Sequence, residues 1–313
     1  MGVFLTGGTG LVGQAIASLL SKQEIQPLVL SRNPQQAEKR LGATAHLLKG
    51  DPTQPGDWMN EVDGTGVVIN LAGENLFARR WSAAFKQRLR ESRIQATRNL
   101  VQAIEAASRR PQVLLSASAV GYYGPREDDK PLDESAPAGE DFLARLCVDW
   151  EAEALRAEEL GVRVVLMRLG IVLARNGGAL KQMLLPFKLC LGGPVGSGQQ
   201  WMSWIHVEDV ARAVLHAATN EALQGPVNFT APHPVHNVQF AQALAKQLGR
   251  PAAVRTPAWL LRLAMGEVAE VLTTGQRVVP ERLLQSGFSF RFEHLAGALA
   301  DLLGRKAPAG AAR

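Results

Sequence analysis

Only two of the 313 residues are cysteine, only two are tyrosine, and aromatic side chains as a whole make up 6% of the chain. Cys147 and Cys190 cannot build a disulfide framework, so a reducing, cytoplasmic setting is the expectation. The two tyrosines are adjacent, Tyr122 and Tyr123, so any phenol chemistry must arise there. No apolar run reaches the roughly 20 residues that a membrane-spanning helix needs, which predicts no membrane insertion. There is no basic stretch, apolar segment and small-residue cleavage site in the order a secretory signal requires. The opening MGVFLT fits a myristoylation pattern formally, but those residues are better used as the first strand of a sheet.

A large charge imbalance is also missing. The net charge is +5, and 20% of residues are charged. The excess is concentrated in RRWSAAFKQRLRESR, residues 79–93, where Arg79, Arg80, Lys86, Arg88, Arg90 and Arg93 stand against Glu91 alone. That run reads either as a solvated helix face or as a site for phosphate. With so small an excess and no basic groove interleaved with aromatics, nucleic acid ranks well below phosphate.

What is present is hydrophobic content, 46% of the chain, arranged in a repeating order. Short apolar runs rich in β-branched residues lie at 3–6, 27–31, 45–51, 67–73, 112–118 and 162–170. Helical patterns lie at about 11–22, 82–108 and 140–160. Nearly continuous apolar strands alternating with helices predict an α/β fold, a doubly wound parallel (Rossmann) sheet covered on both faces. Beyond 174 glycine and proline become dense, and 175–204 reads as a loop and helix insertion beside a substrate cleft. WIHVEDVARAVLHAAT reads as a further helix, and residues 231–304 as a smaller, mainly helical accessory domain. The expected division is therefore 1–230, 231–304 and a disordered tail at 305–313.

TGGTGLVG (6–13) follows the first strand and opens a helix. Gly7, Gly10 and Gly13 suit a tight turn, a backbone that touches a pyrophosphate, and a helix packed closely on the sheet. Thr6, Leu11 and Val12 complete the expected contact set. After the second strand the chain reads LVLSRNP. Ser31 and Arg32 stand where NAD-specific sites place an acid, and a guanidinium with a hydroxyl suits a 2′-phosphate, so the expected cofactor is NADP. The alternative for Arg32 is a solvated loop residue. Asp51, ending the third run, suits the adenine amino group or a turn cap.

With TGGTGLVG, NLAG (70–73) and SASAVGYYG (116–124), the chain resembles the extended short-chain dehydrogenase/reductase superfamily, epimerase/dehydratase branch, over roughly residues 1–230. RRWSAAFKQRLRESRIQATR, LLPFKLCLGGPVGSGQQWMSWIHVEDVARAV and VVPERLLQSGFSF look like an atypical subgroup with an extra C-terminal domain of unknown function. The resemblance implies that Leu71, Ala72 and Gly73 lie against the cofactor and that Arg93 approaches its phosphates. Arg168, in LMRLG, would lie toward the nicotinamide end, and Arg79, Arg80 and Lys86 would be free for an anionic substrate. For each of these arginines a surface salt bridge is an equally good reading. The resemblance also makes Ser118 the catalytic serine, and helices 82–108 and 140–160 pair into dimers in many relatives, although a monomer's core would use the same apolar stripes.

The superfamily's acid/base is a tyrosine with a lysine four residues on, inside the helix that here reads DFLARLCVDWEAEAL. Depending on registration, that helix offers Leu146 with Trp150 or Cys147 with Glu151, and neither pair is a substitute. Two readings stay open: an NADP-dependent oxidoreductase or epimerase acting on a polar, phosphorylated or nucleotide-linked small molecule, with Tyr122 as the relocated proton donor, or a catalytically inactive NADP(H) sensor. His206 and Asp209 read as capping residues more readily than as an acid/base pair. Trp201 and Trp204 read as packing. His233 and His236, three apart without an accompanying acid or cysteine cluster, predict no metal site.

Overall fold

The computed structural model describes residues 2–304; the tail read above as disordered lies outside them. Seven strands form one parallel sheet: β1 (Val3–Thr6), β2 (Leu28–Ser31), β3 (His46–Lys49), β4 (Val67–Asn70), β5 (Val113–Ala119), β6 (Arg163–Leu169) and β10 (Gly225–Phe229). Their order is β10-β6-β5-β4-β1-β2-β3, every neighbouring pair being parallel. The chain therefore starts in the middle, winds outward through β2 and β3, and returns to β4 on the other side of β1. The crevice where the winding reverses, beyond the carboxyl ends of β1 and β4, is where such sheets take ligands.

Successive side chains of a strand point to opposite faces, and here both faces are apolar. Val3 and Leu5 point toward α1 (Leu11–Ser21) and α6 (Val207–Thr219), packing on Ile16, Leu20, Val210 and Val214. Phe4 points the other way, to the core that includes Leu100 and Ile104 of α3 (Ala83–Ala106) and Ala154 of α4 (Phe142–Leu155). Fully burying one such large side chain contributes about 1.5–3 kcal/mol.

Two elements escape a periodicity reading for local reasons. The helix α2 (Pro34–Leu41) buries only Ala37 and Leu41, and its signal is its cap, Asn33 Oδ1 accepting from the amide of Gln36 at 3.1 Å with Pro34 in the first turn. Strand β10 contains Pro226, which is tolerated because β10 is the sheet edge.

The rest of the chain is not a detached lobe. Short strands β7 (Ile171–Ala174) and β9 (Trp204–His206) pair in parallel, and β8 (Trp201–Met202) pairs antiparallel with β11 (Val235–His236). The stretch WIH therefore belongs to a strand, and the helix read from it begins only at Val207. Helix α5 (Gly178–Lys188) contributes Leu180 and Phe187 to a second core built around Trp204, with Phe240 and Leu244 of α7 (Asn237–Leu248) and Leu299 of α11 (Leu295–Leu303). Helices α8 (Ala258–Met265) and α9 (Glu270–Thr273) lie outside that core and bury no residue of their own. From α10 (Glu281–Gln285) onward the chain returns to the main sheet, where Leu283, Phe288 and Phe290 join the first core.

Candidate functional site

The turn between β1 and α1 is built by its glycines. Gly7 has φ +68°, and a Cβ there would lie 2.5 Å from the carbonyl oxygen of Leu71 at the end of β4. A Cβ on Gly13 would lie 2.5 Å from Gly8 Cα. Gly10 donates its amide to Gly7 O at 3.0 Å and is the N-cap of α1, yet no side chain caps this helix end. The first-turn amides, including Leu11 and Val12, therefore point outward without an intrahelical acceptor, and the helix dipole favours an anion there. Thr6 is buried, its hydroxyl donating to Asn70 Oδ1 at 2.7 Å and accepting from the Leu71 amide at 3.2 Å. Asn70 also donates to Thr97 and Ser116, so the strand ends of the crevice are locked together by one polar network.

Around this turn the expected cofactor residues occupy distinct settings. Arg32, past the end of β2, is exposed and has no hydrogen-bond or ion-pair partner among the described residues. Ser31 Oγ accepts from Asn33 N at 3.2 Å. Arg40, which sequence reasoning missed, reaches from α2 to Thr9 O at 3.2 Å and adds a second cation beside the glycine turn. Asp51 Oδ1 accepts from the amide and hydroxyl of Thr53, the turn-cap role. Leu71, Ala72 and Gly73 continue from β4. Arg93 presses against Gly73, where a Cβ would meet its Cζ at 3.1 Å. Its guanidinium donates to Leu89 O and Glu74 O and lies 5.2 Å from the centre of the Trp150 ring. Burial pulls its pKa down from the ordinary arginine value.

At the carboxyl ends of β5, β6 and β10, Ser118, Arg168 and Asn228 are register partners in one row. Glu151 of α4 reaches into it. Ser118 donates to Glu151 Oε1 at 2.6 Å, and Arg168 grips the same carboxylate through Nε at 2.9 Å and Nη2 at 2.8 Å. Both side chains of the ion pair are buried, 3% and 7% exposed. On α4, Cys147 and Glu151 face the site, Cys147 Sγ lying 3.8 Å from Ala119 O, whereas Trp150 turns to Thr97 Oγ1 at 3.0 Å. The Cys147 thiol is pushed up to about 12 by burial and by the nearby Glu151 carboxylate, so it is not a thiolate at neutral pH.

Arg168 also donates to the Tyr123 hydroxyl at 3.0 Å, and that hydroxyl donates to Asn228 Oδ1 at 2.7 Å. Burial pushes the Tyr123 phenol up to about 12, outweighing the pull of Arg168. Arg168, expected as a cofactor ligand, has four of its five N–H groups engaged by Glu151, Tyr123 and Glu134 O. Sequence reasoning missed this role because sheet register brings Ser118 beside Arg168 and the packing of α4 on the sheet brings Glu151 to both. Tyr122 differs. It is half-buried, its ring lies 3.4 Å beneath the Arg168 guanidinium, and its hydroxyl has no partner among the described residues.

Two of the cations expected to be free are not. Arg80 donates to the carbonyls of Leu263 and Ala264 at the end of α8, and Lys86 pairs with Glu267. Arg79 lies 5.4 Å from the centre of the Phe85 ring. The basic run therefore ties the loop after β4 to the C-terminal segment. His206 caps α6 by accepting from Glu208 N, and Asp209 binds the amides of Arg291 and Phe292. Trp204 is fully buried, and Trp201 stacks on His236. No helix among the described residues is long and apolar enough to cross a membrane.

The pattern of the NAD dependent epimerase/dehydratase family matches residues 3–229, and that of a domain of unknown function, DUF1731, matches residues 256–302. The chain is 40% identical over 309 residues to the epimerase family protein SDR39U1 homolog, chloroplastic, of Arabidopsis thaliana, covering 97% of this chain and 87% of that protein. It is 38% identical to the epimerase family protein YfhF of Bacillus subtilis, covering 97% and 98%. The crystal structure of the human epimerase family protein SDR39U1 (isoform 2) with NADPH superposes with a TM-score of 0.85 at 33% identity, covering 97% of this chain and 99% of that one. With the family pattern spanning more than half its length and such relatives over nearly all of it, the chain belongs to the NAD dependent epimerase/dehydratase family.

Proposed function

We propose that this protein binds NADP(H) in the crevice between β1 and β4 and carries out oxidoreductase- or epimerase-type chemistry on a small polar molecule. The observation that carries the reading is the uncapped N-terminus of α1 behind a Gly7 turn that excludes any side chain, with the unpartnered Arg32 directly after β2, the strand paired with β1. These residues fit the cofactor: outward amides suit its diphosphate, and Arg32, with Arg40 beside it, suits a 2′-phosphate. The human relative bound to NADPH supports the same preference. When bound, the cofactor supplies or takes up a hydride at its nicotinamide ring. Thr6 acts by shaping the turn, Leu71, Ala72 and Gly73 flank the cofactor, and Arg93 steadies that segment and supplies positive charge near the phosphates. Asp51 keeps one carboxylate oxygen for the adenine amino group.

Tyr122 is assigned the proton-handling role because its hydroxyl is uncommitted among the described residues and its ring lies against Arg168 of the Ser118–Glu151–Arg168 cluster. Ser118 already donates its proton to Glu151, so toward a substrate it offers an acceptor. Because Arg80 and Lys86 are engaged elsewhere, an anionic substrate has weaker support than a polar one. Two unpaired cysteines are in keeping with a reducing compartment such as the cytoplasm. Nucleic acid is not proposed as a partner.

A second reading, an NADP(H)-binding sensor without turnover, is favoured by one observation. The face of α4 toward the site carries, at the four-residue spacing of the superfamily's tyrosine and lysine, Cys147 and Glu151, the first protonated and the second locked to Arg168.

The test is calorimetric titration of the wild type and Arg32→Ala with NADPH and NADH. The expected result is a marked NADPH preference that Arg32→Ala removes at a cost of about 1–3 kcal/mol to NADPH alone. Equal losses for both cofactors would defeat the 2′-phosphate assignment, and binding of neither would end the whole reading. Turnover in the wild type that disappears in Tyr122→Phe separates the enzyme from the sensor.

A further inference from the structure

His233 follows β10 in the loop APHPVH, and Glu293 and His294 immediately precede α11. The sequence separates them by some sixty residues, and the fold brings them together. The His233 and His294 rings lie parallel, 2° apart, with centres separated by 4.4 Å. One potential donor atom from each of His233, Glu293 and His294 lies within 4.8 Å of the others. We propose that these three side chains form a binding site for a divalent transition metal ion of the zinc type.

Donor chemistry comes first. Two imidazoles and a carboxylate are a set that borderline cations such as Zn2+ prefer, with one position left for water. Geometry comes next. Donors about 2.0–2.2 Å from one tetrahedral ion stand roughly 3.3–3.5 Å apart, so a pair at the 4.8 Å limit must close by about 1.3–1.5 Å. All three side chains are exposed, and rotation about their own side-chain bonds can supply that contraction.

The backbones that carry them are held independently of any ion. Trp204 Nε1 donates to His233 O at 3.1 Å from a fully buried ring, and Pro232 and Pro234 flank the histidine. On the other side, the buried Asp209 carboxylate accepts the amides of Arg291 at 2.8 Å and Phe292 at 2.9 Å, just before Glu293. A pair of anchored segments presenting a converging donor set loses little conformational entropy when an ion joins it. His236, the neighbour that makes the local sequence look like a pair, takes no part. Its ring stacks on Trp201 and its Nδ1 contacts Gln199 O at 2.5 Å.

The experiment is isothermal titration of tag-free protein with zinc chloride, comparing wild type, His233→Ala, His294→Ala and the control His236→Ala. The proposal expects one saturable equivalent of zinc in wild type and in His236→Ala, weakened at least tenfold by either of the other substitutions. It also expects zinc to raise the melting temperature of the wild type but not that of His294→Ala, because the ion clamps the β10 loop to the start of α11. No saturable binding below millimolar zinc would overturn the proposal. So would binding unchanged by both His233→Ala and His294→Ala. The replaced side chains are exposed, and matching circular dichroism spectra in the absence of zinc exclude misfolding as the cause of a loss.

Discussion

Arg168 makes most of its interactions with groups that a loop-by-loop reading places far away: Glu151 on a helix, Tyr123 after the neighbouring strand, and Tyr122 beneath its guanidinium plane. A buried ion pair is costly to break, because the surviving charge is left without a partner. Glu151→Ala is therefore expected to destabilise the protein by about 3–5 kcal/mol in urea unfolding, whereas Glu151→Leu combined with Arg168→Met loses much less than the sum of the single changes. Additive losses would show that the pair is not the coupled unit described here. Ser118→Ala removes one donor from Glu151 and is expected to cost about 1 kcal/mol, because Arg168 still satisfies the carboxylate. Tyr122→Phe leaves the ring over Arg168 in place. It should leave stability and NADPH affinity almost unchanged while reducing turnover, and a loss of affinity instead would assign the hydroxyl to cofactor binding.

The element that matters most is the β1–α1 turn, where a strand end, a glycine turn and a helix N-terminus make one unit. Gly7→Ala forces a side chain into the left-handed region, which costs roughly 1–2 kcal/mol by itself. The new methyl also meets the Leu71 carbonyl, a backbone group that cannot rotate away. The expected outcome is a lowered melting temperature together with at least a tenfold loss of NADPH affinity. A variant that binds NADPH like wild type would show that the turn does not lie against the diphosphate. Most of this unit is legible in the chain, since TGGTGLVG sits between a β-branched run and a helical pattern. The neighbouring α2 is less so: Ala37 and Leu41 are the apolar residues it buries in an otherwise polar stretch, and the Asn33–Pro34 cap is what announces it.

At the scale of the molecule, α6 couples the sheet to the returning C-terminal segment, and its histidines make that coupling depend on pH. Burial lowers the His206 pKa below its ordinary 6.5 against the opposing pull of Asp301, Asp209 and Glu208, and burial likewise lowers that of His216. A depressed histidine binds fewer protons in the folded than in the unfolded chain, so stability rises with pH across the window below 6.5 and falls on acidification. The melting temperature should therefore decline between pH 7 and pH 5, with a shallower slope in His206→Gln. An identical slope in that variant would remove His206 as a source. His216 faces Ser286 and Asn220, and His206 faces Asp301 and the Phe292 ring, so both sense the docking of residues 283–301 on α6.

What the sequence determined by itself is whatever depends on neighbours along the chain. Apolar runs of strand length marked β1 to β6 within a few residues, helical spacing marked α1, α3 and α4, and glycines at fixed offsets marked the phosphate turn. The absence of a tyrosine and lysine pair in α4 was equally plain, because it is a matter of composition at known spacing. Tertiary structure alone decided which side chains remain available. Arg80, Lys86 and Arg168 look alike in the sequence to Arg32, yet the first three are bound by partners 17 to 184 residues away and Arg32 by none among the described residues. The meeting of His233 with Glu293 and His294 has the same origin. Charge and hydrogen bonding act through space over a few ångströms, and only sheet register and helix packing bring distant residues within that range.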